Sequence, residues 1–367
     1  MLTAGYSIAT ILLTVSAMTT FADVTGEDPP FYTDKLNLMQ FIDGEGALCP
    51  VRTVDDWQKR RAHILASIQL VMGPMPDESR KVPLDVQVEE EVALDTCTRK
   101  KITFASETDD RVPAYLFIPN RVNEKASGIV CLHQTTPIGK REPSGVDGIR
   151  NLHYALELAQ EGCVTIAPDY PNYGDYKIDV YARGYVSASI KGIWNHMRAV
   201  DVLQSLPEVD PDRIGCIGHS LGGHNTLFLA AFDQRVKVAA SSCGFNSFAK
   251  YKKGDLTGWS HDGYMPRIAT MYDRDPAKMP FDFTEILGVI APRAVYVNAP
   301  TGDSNFDLSG VQDCLNAAQP VYELLGAGDR LHAEHPDCAH DFPPETRQRA
   351  YAFMLDMLQR PQEATTD

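Results

Sequence analysis

The chemistry open to this 367-residue chain centres on Ile214-Gly215-Cys216-Ile217-Gly218-His219-Ser220-Leu221-Gly222-Gly223-His224. Ser220 has one glycine two positions before it and another two positions after it. The apolar run to Ile217 reads as a buried strand, the glycine-flanked serine as an abrupt turn, and Leu221 onward as the start of a helix. So sharp a turn strains the serine backbone and brings the helix back across the strand, where side chains at Gly218 and Gly222 would collide. The helix N-terminus also aims N–H groups at the place where a negative oxygen develops during acyl transfer. A serine in such a turn can also be a mere helix cap. The flanks favour a nucleophile: Val209-Asp210-Pro211-Asp212-Arg213 reads as a turn feeding the strand, and Asn225 to Phe232 suits a buried helix. A serine hydroxyl is a weak nucleophile at neutral pH, so this reading requires a base within reach and a group that orients the base.

At these residues the chain resembles the α/β-hydrolase superfamily, in which the triad follows in the order Ser, acid, His. The resemblance implies Asp303, after the strand ending at Asn298, as the acid. It implies His340, within Asp337-Cys338-Ala339-His340-Asp341-Phe342-Pro343, as the base. Asp307 is the rival acid, but it precedes Leu308-Ser309-Gly310 and a helix, where an Asp suits an N-cap. Gly302 permits the turn that aims Asp303 inward. For the oxyanion hole the resemblance implies the Leu221 N–H and a second donor from His133-Gln134-Thr135-Thr136, after the strand Ile129–Leu132. Relatives commonly start this loop with His-Gly where this chain has His-Gln. Thr135 is preferred by position and Gln134 stays open. His219 is expected to pack beside the site. The other histidines lack the position of His340, and His63 reads as structural.

The closest resemblance is to the dienelactone-hydrolase-like and acetyl-xylan-esterase-like branch, which is also similar to prolyl-oligopeptidase catalytic domains. It rests on Ala167-Pro168-Asp169-Tyr170, Arg198-Ala199-Val200-Asp201, Asp210-Pro211-Asp212-Arg213-Ile214-Gly215 and His340-Asp341-Phe342-Pro343. Dienelactone hydrolases proper use a cysteine nucleophile, so Ser220 shifts the implication toward esterases. The chain has no room for the propeller that oligopeptidases carry.

The elements that must position these residues follow from the apolar pattern. Residues 84–118 alternate apolar and polar, with Asp109-Asp110-Arg111 as a turn, and read as an antiparallel meander. From Gly128, apolar strands alternate with helices: Ile129–Leu132, Cys163–Ala167, the elbow strand, Val236–Ala240, Arg293–Asn298 and Arg330–Ala333. Helices are expected near 152–161, 185–206, 310–325 and 344–358. This predicts an α/β-hydrolase fold, with a mostly parallel central sheet, an antiparallel N-terminal meander and helices on both faces. Residues 244–285 interrupt the alternation with aromatics, Gly and Pro, and read as a lid-like insertion within a catalytic domain at 84–359. Trp259 and Tyr264 are its candidate substrate-pocket residues. Asp56 to Met72 is an amphipathic helix stopped by Gly73-Pro74, following an extended surface arm. Together they form an N-terminal region at 23–83.

Ile8 to Ala22 is apolar, ends in small residues and is short for a membrane span. Residues 1–22 therefore read as a secretion signal and the chain as exported, periplasmic or secreted, with no membrane span once cleaved. Residues 360–367 read as a disordered tail. A net charge of −15 argues against nucleic acid and anionic membranes as partners. Of 8 cysteines, Cys131, Cys163, Cys216 and Cys243 fall in strand-like runs as small apolar residues, while Cys49, Cys97, Cys314 and Cys338 could pair. No Cys-x-x-Cys or clustered His/Cys spacing suggests a metal, and no cofactor is expected. The expected activity is cleavage of carboxylic esters, on small molecules or carbohydrates, through an acyl-enzyme, and the resemblance implies acetyl or other acyl esters of carbohydrates. A peptidase or amidase of prolyl-oligopeptidase type and a non-catalytic binding protein are the alternatives.

Overall fold

Residues 28–121 and 125–360 are described by a computed structural model, so the secretion-signal reading and the tail beyond Arg360 lie outside the described residues. A small hairpin, β1 (Gln40–Ile42) and β2 (Leu48–Pro50), leads into α1 (Val54–Met72). Thr53 and Asp56 close a reciprocal capping box at the start of α1, satisfying N–H groups that the helix itself leaves free. The meander follows as β3 (Gln87–Ala93), β4 (Cys97–Glu107) and β5 (Asp110–Pro119). Then come β6 (Ala126–Leu132), α2 (Tyr154–Gln160), β7 (Val164–Pro168), α3 (Ala188–Ser205), β8 (Val209–His219), α4 (Leu221–Phe232) and β9 (Val236–Ser242). The chain continues through α5 (Arg267–Thr270), α6 (Phe283–Ile290), β10 (Ala294–Asn298), α7 (Leu308–Leu324), β11 (Leu331–Glu334) and α8 (Pro344–Gln359).

Among the described residues, nine strands form one sheet in the order β11-β10-β9-β8-β6-β7-β5-β4-β3. Pairs from β11 to β7 are parallel, and β7/β5, β5/β4 and β4/β3 are antiparallel. Both faces are buried, and alternate residues of each central strand serve different cores. Val130, Cys216, Ala239 and Val295 join the larger core with α3, α4, α6 and α7. Their neighbours Cys131, Ile217, Ala240 and Tyr296 join the second core with α2 and α8. Continuous apolar strands follow directly from having no solvent face. The parallel strands carry the elbow, the Asp303 loop and the His340 loop at their carboxyl ends.

Three expectations are corrected. The segment Val209–Arg213 is not a turn before the strand but its first part: Val209 pairs with Ala126, and a bulge separates that pair from Ile214 with Gly128. Asp210 stabilises the bulge by accepting from the Asp212 N–H and the Arg213 Nε–H. The N-terminal arm is not simply laid over the surface, because Tyr32, Leu38, Phe41 and Val51 are buried. Tyr32 also bonds His63, at 2.8 Å from its Nδ1, which gives His63 the structural role expected of it. All eight cysteines are free. Cys97 and Cys314 belong to different cores, on opposite faces of the sheet, and so cannot meet.

Candidate active site

Ser220 holds φ 54° and ψ −115°, the strained left-handed backbone that the glycine-flanked turn requires. A Cβ at Gly218 would lie 2.3 Å from the Gly222 carbonyl oxygen, and one at Gly222 would lie 1.9 Å from the Leu132 oxygen. The elbow exists only because both positions lack side chains. Ser220 makes no side-chain capping bond to α4, which removes the cap reading; its backbone N–H instead donates to Ser242 O at 2.9 Å. The chain thus spends backbone strain of about 1–3 kcal/mol on holding a partly exposed hydroxyl at the tip of β8.

The structure brings Asp303 and His340 together, with Asp303 Oδ2 2.8 Å from His340 Nδ1. The Asp303 side chain is buried, while that of His340 is 25% exposed. Burial alone would raise the Asp303 carboxyl. The bond and charge of His340, with the N–H groups of Asn305 and Phe306, outweigh it and hold the group below the ordinary carboxylate range. Asp307 is elsewhere occupied as the N-cap of α7, accepting from the Ser309 N–H. The His340 ring lies edge-on to His219, the residue preceding Ser220, with centroids 4.7 Å apart. Burial, reinforced by His340, pushes His219 down to about 3, so it stays neutral beside His340.

Sequence reasoning missed the residues that hold the His340 loop. Asn298, the last residue of β10, donates through Nδ2 to Asp341 O at 2.9 Å and to Ser242 Oγ at 2.7 Å. Ser242 Oγ in turn lies 2.9 Å from His219 Nδ1. Cys243 Sγ reaches Asp341 O at 3.5 Å, and Asn151 Nδ2 binds the Asp341 carboxylate at 2.7 Å. The available signal was a polar residue ending an otherwise apolar buried strand, which must find partners.

On the other side of the elbow, the close approach of Gly222 to Leu132 sets the loop 133–136 against the start of α4. His133 fixes the shape of this loop. Its Nε2 accepts the Tyr170 N–H at 3.0 Å, so the proton sits on Nδ1 and is donated to Gln134 O at 2.6 Å. Burial lowers the His133 pKa and keeps that tautomer neutral. The Gln134 side chain turns to Glu142, with Nε2 to Oε1 at 3.1 Å. Thr135 Oγ1 is 2.9 Å from the hydroxyl of Tyr264. The 244–285 insertion is thereby joined directly to the loop beside Ser220.

Within the insertion Trp259 and Tyr264 are both buried. Trp259 is 2% exposed and packs among Phe248, Tyr251, Phe283 and Phe306 as part of the larger core. Tyr264, 9% exposed, belongs to the same core, and the ring of His224, one helical turn beyond Ser220, lies 4.9 Å from that of Trp259 and 5.3 Å from that of Tyr264. A surface cleft of about 590 Å³, lined by Asp109, Arg111, Asp175, Tyr176, Lys177 and Arg183 among others, contains none of these site residues. Among the described residues, no helix is long and apolar enough to cross a membrane.

A family model described as "Glucuronyl esterase, fungi" matches residues 174–326. The chain is 26% identical to the putative hydrolase YtaP of Bacillus subtilis over 68% of its length and 84% of that protein. It is 24% identical to the 4-O-methyl-glucuronoyl methylesterase of Phanerochaete carnosa, over 94% of this chain and 86% of that one. The fold matches a glucuronoyl esterase from Solibacter usitatus with a TM-score of 0.66 and 20% identity, covering 90% of this chain and 99% of that chain. Sheet order, elbow and these relatives agree: the chain has the α/β-hydrolase fold and is a serine carboxylic-ester hydrolase similar to carbohydrate esterases.

Proposed function

We propose that Ser220, His340 and Asp303 act as nucleophile, base and orienting acid in cleaving an ester of a uronic acid. The sugar would supply the acyl group. The observation that carries the triad is the 2.8 Å Asp303–His340 bond set beside the residue that precedes a strained, uncapped Ser220. Ser220 Oγ attacks the ester carbonyl carbon and gives its proton to Nε2 of His340, while Asp303 holds the proton on Nδ1. The oxyanion receives the N–H of Leu221 and a second N–H from the 133–136 loop, that of Thr135 by position, with Gln134 as its rival. His340 then protonates the departing alcohol, and water attacks the acyl-enzyme by the same route in reverse. The uronic-acid preference is supported by the sequence relatives, which act on 4-O-methyl-glucuronoyl methyl esters by name. Export, with a mature chain starting near Asp23, fits a substrate found in extracellular polysaccharide.

The test is a panel of methyl and benzyl glucuronate, acetylated xylo-oligosaccharides and a chromogenic peptide amide, with a fluorophosphonate label and Ser220→Ala as control. Hydrolysis of the glucuronate esters, lost in Ser220→Ala, is expected. Preference for acetyl groups would overturn the uronic-acid reading, and absence of labelling would overturn the triad. N-terminal sequencing of the protein from its host checks export.

A further inference from the structure

We propose that His219, Cys243 and His340 form a site for a thiophilic divalent ion such as Zn²⁺, which when bound blocks the base of the proposed triad. One ligand atom from each, a ring nitrogen of both histidines and the Cys243 Sγ, lies within 4.8 Å of the other two. A tetrahedral zinc with nitrogens at about 2.0–2.1 Å and sulfur at about 2.3 Å separates its ligands by about 3.3–3.7 Å. Closure therefore needs a contraction of about an ångström. His219 and Cys243 sit at the ends of neighbouring parallel strands and are buried, whereas His340 is on a partly exposed loop and is the member able to shift.

Ligation through Nε2 of each histidine would leave Ser242 Oγ on His219 Nδ1 and the Asp303 carboxylate on His340 Nδ1 as the outer partners that metal-bound imidazoles require. Two nitrogens and one sulfur favour Zn²⁺, Co²⁺ or Cu²⁺ over Mg²⁺ and Ca²⁺. Binding exchanges the thiol proton of Cys243, released to solvent, for a metal–sulfur bond. Nothing in the linear spacing shows the site, because the three residues meet only when β8, β9 and the loop after β11 are assembled. Metal binding is independent of the catalytic reading; inhibition of hydrolysis rests on it.

The experiment uses the full chain without a polyhistidine tag. Titration with Co²⁺ is expected to give one equivalent bound, with visible bands of a tetrahedral ion and a near-ultraviolet thiolate-to-cobalt band. Cys243→Ala and Cys243→Ser should abolish the thiolate band, and His219→Asn should weaken binding at least tenfold. Cys338→Ser, the neighbouring-loop control, should change neither. No thiolate band in the wild type, or an equal band in a folded Cys243 variant, would overturn the site. Micromolar Zn²⁺ should slow ester hydrolysis reversibly, with EDTA restoring the rate. The half-inhibiting concentration should rise at least tenfold in Cys243→Ser relative to that variant's own metal-free rate. Equal inhibition in both proteins would refute the link to the base. An inactive chain that still bound Co²⁺ through Cys243 would refute the triad and leave the metal site standing.

Discussion

Replacing Asn298 tests whether the His340 loop is held by one buried amide. Its Nδ2 serves Asp341 O and Ser242 Oγ, while its Oδ1 is buried without a partner, so the donor end alone holds the group. Asn298→Ala removes these two neutral hydrogen bonds, each contributing about 0.5–1.5 kcal/mol, and a long 3.9 Å contact from Nδ2 to Cys243 Sγ. Neither acceptor is left wholly unpaired, because Cys243 Sγ still reaches Asp341 O and His219 Nδ1 still reaches Ser242 Oγ. The larger penalty for orphaned buried groups is therefore avoided, and the expected loss is about 1–3 kcal/mol, or a few degrees in Tm. The effect on rate should be out of proportion. Asp341 adjoins His340, the proposed base, and displacing such a group by about an ångström costs on the order of a hundredfold. Asn298→Asp keeps the shape but replaces the donor with an acceptor facing Asp341 O, so it should be worse than Ala in both respects. Thermal unfolding and steady-state kinetics on one glucuronate ester measure both, with kcat expected to fall at least tenfold and KM to change little. A kcat within twofold of wild type in Asn298→Asp would refute the tether.

Asp303→Asn should lower kcat by about four orders of magnitude, by analogy with other triads, while Asp307→Asn retains activity because Asn also caps helices. The reverse pattern in side-by-side kinetics would reassign the acid. Tyr264→Phe removes the bond to Thr135 and should cost about tenfold in kcat with little change in Tm, the worth of one neutral hydrogen bond. Trp259→Ala should instead destabilise by about 3–5 kcal/mol, read as a lowered urea midpoint. His196, His219 and His224 are each pushed down to about 3, chiefly by burial, so they titrate below the range of an unfolded chain. From these three alone the unfolded state then binds up to three more protons between about pH 3 and 6.5, and that share of stability is lost as pH falls through the window. The slope approaches about 1.4 kcal/mol per pH unit for each histidine. His196→Gln should remove one such share in urea titrations at pH 5 and 6, and an unchanged slope would refute neutral burial.

The sequence by itself determined the elements and their order. Glycines at 218 and 222 admit the elbow because nothing else fits against Gly222 and Leu132. Apolar runs without alternation require strands buried on both faces, hence a parallel sheet under two layers of helices. Singling out Asp303 and His340 rested on the resemblance, which gives the order Ser, acid, His, and parallel strands deliver their following loops to one edge. Tertiary structure alone decided which buried polar atoms meet. Asn298 with Asp341, Thr135 with Tyr264, and His219 with Cys243 and His340 are contacts between strand ends and loops far apart in the chain. Periodicity records which face a residue turns to the core but carries no information about its partner there. The same limit explains the arm, whose Tyr32, Leu38 and Phe41 show no regular spacing yet are buried. It explains the unpaired cysteines too, because a thiol's neighbours are set by the packing of whole elements.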